Sequence, residues 1–273
     1  MLRHTPRFLT LRAAAARQPS QLGPICRASS SSQDGADITL VYFGCRGRAD
    51  ALRAMLHDHA PAFKEQRVVH SEPQEGDALW TLLKPSTPFG GLPVLRVEGV
   101  DPGSATLEIG QTSACSLLLG QRFGLLGKTP AEQARCEMVR SAVYSDMVEA
   151  HNALLWAPVR QPHAPIDELI DSHLAKQALC VHFLEMQYTT VDGPFLLPSG
   201  ISVADYFAFS LACLLRETYD ATVPAHLAAL HNTMMERPAI KAFTEARLQG
   251  PYTNSPAEEG VRALLKEKAL PLV

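Results

Sequence analysis

Three places in the first half of the chain have side chains of the type and setting to do chemistry. Gln111 and Thr112 stand where an apolar helix begins, with Thr112 or Ser113 placed to cap it. A helix start offers free backbone N–H groups and the positive end of the helix dipole, so it can hold a carboxylate and the groups beside it. A capped helix that binds only water has the same sequence. Tyr42 closes an apolar, β-branched stretch, where a phenol is either a satisfied core group or a donor at the sheet's edge. Cys45 falls in the loop that follows, near a helix N-terminus, a setting that favours a thiolate able to form mixed disulfides. Arg48, read from its surroundings alone, is an arginine on a helix face. The six cysteines (26, 45, 115, 136, 180, 213) contain no CxxC pair, and the ten histidines form no HExxH pattern. A reduced compartment, structural thiols and no metal are the expectation.

These groups need elements to position them. Ile38 to Phe43 reads as a buried strand, broken at Gly44 to Gly47. Ala49 to His59 has helical spacing through Leu52, Met55 and Leu56, and Gln66 to Val69 reads as a second strand. The segment from His70 to Pro88 is rich in Glu, Gly and Pro, with Trp80 and Lys84 inside it. A hairpin follows, Pro93 to Val97 with Ala105 to Ile109, and then the helix from Thr112 to a stop at Gly124. The order βαβ then ββα within residues 37–123 gives a small mixed sheet with helices packed on it.

Residues 124–130 read as a linker, after which 131–250 is all helical. Val139, Val143, Met147, Ala150 and Leu154 form one apolar stripe, and Ile170, Leu174, Ala178 and Val181 another. Ser202 to Asp205 reads as a capping box with Asp in place of Glu, and Pro224 and Pro238 sit near the starts of the next two helices. Residues 251–273 read as a tail.

Residues 1–36 are a leader of another kind. Five arginines precede the first acidic residue, Asp34, with alanine and serine runs between them. That composition marks a mitochondrial or plastid transit peptide, with a cytoplasmic protein and a disordered tail as the alternative. Without those five, 20 basic residues face 28 acidic ones, about −8, which argues against a nucleic-acid partner. No apolar run approaches the roughly 20 residues of a membrane span.

Tyr42 to Arg53, YFGCRGRADALR, is similar to the YFxxRGRAExxR opening of the glutathione S-transferase superfamily, and Pro88 to Leu95, PFGGLPVL, to its PFGxxPxL. The chain resembles that superfamily over about residues 37–250, most of all its sigma class, which includes the haematopoietic prostaglandin D synthases. The resemblance implies a thioredoxin-like first domain and a helical-bundle second domain, glutathione as co-substrate, a hydrophobic electrophile as second substrate, and a homodimer.

It also implies a site. Tyr42 would hydrogen-bond the glutathione sulfur and so favour the nucleophilic thiolate, with Arg48 as the neighbouring cation. Phe43, Trp80 and Lys84 would add contacts. Leu92, before a cis Pro93 and after Gly91, would pair its backbone with the cysteinyl part, and Gln111 and Thr112 would hold the γ-glutamyl end. An acidic residue lent by a partner subunit would fall near Asp146. Three departures stand out: Thr112 replaces serine, Gly91 replaces a larger residue, and the loop between Val97 and Leu107 is longer than usual. Met138, Tyr144 and Tyr252 are candidates for the electrophile's pocket that core packing explains equally well. The implied reaction is conjugation of hydrophobic electrophiles or isomerisation of a peroxide such as a prostaglandin endoperoxide. The alternatives are a binding or structural protein of the same fold, and a thiol transferase that uses Cys45.

Overall fold

The computed structural model describes residues 35–68, 78–99, 106–249, 256–268 and 270. All but the last two residues of the leader, Tyr252, and residues 100–105 of the long hairpin loop lie outside the described residues.

Strand β1 (Ile38–Phe43) is apolar enough to lie inside a sheet, and it does. The order is β2-β1-β3-β4, with β2 (Lys64–Val68) parallel to β1, and β3 (Val94–Glu98) and β4 (Thr106–Gly110) antiparallel. Helix α1 (Asp50–His59) covers one face through Leu52, Met55 and Leu56, all fully buried. Helix α3 (Thr112–Phe123) ends on a left-handed Gly124, the C-terminal stop expected of a glycine there. This is a thioredoxin-like domain, and the Leu92–Pro93 bond is cis. A short helix, α2 (Ala78–Leu83), lies in the segment rich in Glu, Gly and Pro that precedes Pro88.

The second domain is helical. Helix α4 (Pro130–Ala142) starts at a capping box of Thr129 and Glu132, runs into a π-helical stretch over Val143–Val148, and continues as α5 (Glu149–Leu155) and α6 (Ala157–Arg160). The stripe through Val139, Val143, Met147 and Leu154 is buried, with Ala150 only half so. Helix α7 (Ile166–Tyr188) buries Ile170, Leu174 and Val181. Helix α8 (Val203–Tyr219) is apolar on nearly all sides and is the centre of the domain. At its start the Ser202 N–H and hydroxyl both donate to Asp205 Oδ2 at 2.7 Å, while Tyr188 and the Leu196 N–H donate to Oδ1.

Helices α9 (Ala225–Met235) and α10 (Pro238–Gln249) follow. The segment that reads as a tail holds a further helix, α11 (Pro256–Lys268), whose Val261 and Leu265 are buried. A helix that buries such a face belongs to the bundle, so residues 256–268 are corrected from tail to core element.

A buried ionic cluster locks the two domains together. The Asp50 carboxylate on α1 accepts from Ser210 on α8 at 2.6 Å, from Arg247 on α10 at 2.8 Å, and from Arg46 at 3.2 Å. Burial alone would raise the Asp50 carboxyl, but Arg247 and Arg46 outweigh it and hold it far below the usual carboxylate range. Glu217 on α8 closes the cluster by pairing with both arginines.

Candidate functional site

A cleft of about 390 Å³ opens between the end of β1 and helices α5, α6 and α11. Tyr42 is the last buried position of β1, so its ring is packed, 5% exposed, and it is among the residues that line the cleft. That hydroxyl accepts the Arg48 backbone N–H at 2.8 Å. Burial first, and the nearby Cys45 next, push the phenol far above its ordinary range, against the opposing pull of that N–H and of Arg48 and Arg53. The group therefore stays an O–H throughout the physiological range. With a lone pair taken by Arg48, its hydrogen is left to donate.

Arg53 fixes the loop that frames this phenol. It is fully buried, donates to Phe43 O at 2.8 Å and to Cys45 O at 2.6 Å, and pairs with Glu65 at 2.6 Å. Its guanidinium carbon also lies 5.4 Å from the centre of the Tyr42 ring.

Arg48 takes a position that the residues alone do not reveal. Its guanidinium makes a two-pronged pair with Glu149 on α5, at 2.7 and 2.8 Å, so the cation is bound across the domain boundary, and its backbone serves the phenol. The Tyr144 hydroxyl reaches toward both Glu149 and Thr112. The Thr112 hydroxyl itself points at Arg48 O, 3.4 Å away.

The expected hydroxyl cap on α3 is corrected. Gln111 is the N-cap residue, with φ of 69° and no side-chain cap bond, and Thr112 already lies inside the helix. Ser113 instead accepts from Arg140 at 2.9 Å. The left-handed Gln111 is a strained backbone state for a side chain of that size, a feature that concentrates at binding sites, and it leaves the helix's N–H groups open.

The remaining predicted residues lie on the same edge of the first domain. Phe43 lines the cleft and meets Trp80 of α2 edge-on, with ring centres 5.4 Å apart. Lys84 is exposed, and its side chain runs past Gly90. Gly91, Leu92 and Pro93 lead into β3 just beyond the last pair of the β1–β3 ladder, Val41 with Val94. Tyr42, Phe43 and Arg48 thus line the cleft, while Trp80, Lys84, Leu92, Gln111 and Thr112 lie outside its lining. Cys45 is half-buried in the cleft wall. Met138 is exposed and outside the lining, and Asp146 faces solvent. Among the described residues no cluster of His, Cys, Asp and Glu is arranged to hold a metal ion, and no helix is long and apolar enough to cross a membrane.

The far wall escapes the sequence reading altogether: Asn152, Trp156, Val159, Arg160 and Arg262 line it. A tryptophan followed by Ala-Pro, where α5 breaks into α6, is the one local sign of it.

Comparison with known proteins agrees with this architecture. The family model for the glutathione S-transferase C-terminal domain matches residues 171–247. The glutathione S-transferase P 1 of Bufo bufo is 34% identical over 171 residues, 62% of this chain and 72% of that protein. Haematopoietic prostaglandin D synthase of Rattus norvegicus is 26% identical over 213 residues, 77% of this chain and 96% of that one. Glutathione S-transferase 1 of Ascaris suum is 35% identical over 100 residues, 37% of this chain, and the match spans only 42% of that protein's length. Among solved structures, a Caenorhabditis elegans glutathione S-transferase superposes with a TM-score of 0.62 at 26% identity, covering 77% of this chain and 98% of that one.

Proposed function

The chain belongs to the glutathione S-transferase family, and on that footing we propose that it conjugates glutathione to hydrophobic electrophiles, with Tyr42 holding the sulfur as thiolate. The observation that carries this is the phenol itself: a buried hydroxyl that stays protonated and accepts the Arg48 N–H, on a side chain that lines a cleft. A thiol of ordinary acidity is mostly protonated at neutral pH, so a fixed donor at its sulfur lowers its pKa and raises the nucleophile's concentration. Gln111, Thr112 and the open end of α3 suit the γ-glutamyl carboxylate, the Leu92 backbone suits the cysteinyl amide, and Trp80 and Lys84 suit the glycyl end. Sulfur then attacks the electrophile lying against Trp156 and Val159. Isomerisation of a lipid peroxide belongs to the same reading, since it too begins with the sulfur anion.

We read the leader as a transit peptide to the mitochondrial matrix, with the plastid as the other destination; a reporter fused to residues 1–36 locates it. Exposed apolar residues on both domains support a homodimer, with Phe89 88% exposed and Leu179, Phe183 and Met186 in one stripe on α7.

The direct experiment is glutathione conjugation of a chloronitrobenzene by the purified mature chain. Tyr42→Phe is expected to lower the rate about a hundredfold, the usual cost of removing one preorganised donor to a developing anion. It would also move the ascending limb of the pH–rate profile toward the free thiol's pKa. An unchanged rate and profile would remove Tyr42 from the mechanism. Retention on immobilised glutathione without turnover would favour a binding protein, and dithiol exchange abolished by Cys45→Ser would favour a thiol transferase.

A further inference from the structure

Both walls of the cleft carry arginines, and its one lining carboxylate among the described residues, Glu149 on α5, is taken by Arg48. On the side of the first domain every cation is matched: Arg46 with Asp50 and Glu217, Arg48 with Glu149. On the helical side, Arg160 ends α6 exposed, its charge acting on Glu149 but in no salt bridge among the described residues, and its guanidinium 5.9 Å from the centre of the Trp156 ring. Arg262 on α11 brings another guanidinium to the same wall, donating to the Thr218 hydroxyl at 2.8 Å. Trp156 and Val159 supply an apolar surface beside them. A guanidinium over an indole is attracted to its face, and its outer edge can fork onto a carboxylate.

We propose that the second substrate of this cleft is an amphipathic electrophile, its apolar body laid on Trp156 and Val159 and its carboxylate taken by Arg160 with Arg262 beyond. The inference rests on reading the cleft as a conjugation site. With an α,β-unsaturated ketone that carries a carboxylate, the glutathione sulfur forms a bond to the β-carbon and the alkene's π pair moves toward the carbonyl. The enolate then takes a proton from water, and the thiol's own proton has already left to solvent. No oxidant or reductant is needed. The arginine bonds the end of the substrate that does not react, so it fixes which electrophiles are held and which way round.

The test compares one such enone as free acid and as methyl ester, at low ionic strength. The parent enzyme is expected to favour the acid in kcat/KM by about tenfold, the scale of one charge-assisted hydrogen bond at a half-open site. In Arg160→Gln the acid-to-ester ratio should fall toward one, Arg160→Lys should restore part of it, and raised salt should lower it in the parent. Equal use of acid and ester by the parent would overturn the proposal, as would a preference that survives Arg160→Gln. If neither compound is conjugated, the transferase reading is what fails. Calorimetric titration with the saturated acid and its ester then decides the anion site: tighter binding of the acid that is lost in Arg160→Gln upholds it, and equal binding overturns it.

Discussion

A Cβ placed on Gly47 would stand 2.4 Å from the phenol oxygen of Tyr42. Gly47 also has φ of 42°, in the left-handed region where a side chain is disfavoured. Glycine is thus what lets the loop fold closely enough over the hydroxyl for the next N–H, that of Arg48, to reach it. Gly47→Ala is therefore expected to displace the hydroxyl, since the ring beneath it is packed and cannot retreat. Turnover should fall by one to two orders of magnitude, roughly the cost of a misplacement near 1 Å, while circular dichroism stays that of the parent. A parent-like rate would show that the phenol's position does not matter.

Arg53 makes the second prediction. It is fully buried, and three groups depend on it: Glu65 and the carbonyls of Phe43 and Cys45. Arg53→Met fills the space but strands two carbonyls and leaves Glu65 with Arg67 as its remaining partner. Leaving a buried acceptor unsatisfied costs about 1–3 kcal/mol, so urea unfolding should show a loss of at least that order. Loss of less than about 1 kcal/mol would mean that water replaces the arginine.

The distance between paired residues decides what the sequence reveals. Strand β1, the hairpin and the Ser202–Asp205 box depend on neighbours a few residues away, and their patterns are local. The proposed glutathione site was suggested by motifs that are contiguous around Tyr42 and around Pro93. Arg48 and Glu149 are 101 positions apart, and no local pattern joins them. The π-helical turn hides the pairing further, because one extra residue per turn rotates everything after it, including Glu149, relative to the stripe that precedes it. Helix α2 is six residues long, too short for a period to show, and α11 follows a Pro- and Gly-bearing stretch that reads as an end. Gln111 as a left-handed N-cap is a tertiary choice that overrides the usual preference for a hydroxyl.

Association is testable through the exposed apolar side chains. Phe89, Leu82 and Leu117 on the first domain and Phe183 on the second are exposed, and the proposed homodimer would cover some of them. Light scattering should return twice the chain mass at micromolar concentration. Phe89→Asp combined with Phe183→Asp should return the monomer mass with secondary structure retained. A monomeric parent would dispose of the homodimer.

The last prediction concerns acid. His151 Nδ1 and His173 Nε2 both bond the Tyr219 hydroxyl, at 2.7 and 2.8 Å, in the interior of the helical domain. Burial first, then the charges of Arg262 on His151 and Lys176 on His173, push both imidazoles down, His173 to about 4. Arg46 and the other imidazole also act on His151, so no carboxylate among these neighbours offsets the burial. A histidine whose folded pKa lies below its unfolded value of about 6.5 is held neutral by the fold, so the unfolded chain binds more protons between the two values. The stability these rings provide is thus complete above about pH 6.5 and is lost as pH falls toward 4. Thermal midpoints measured across that range should decline. His151→Phe combined with His173→Gln, which removes both titrations, should flatten the decline even if it lowers the plateau. An equally steep decline in the double variant would assign the acid sensitivity to the other histidines that burial pushes down, His57, His59 and His231.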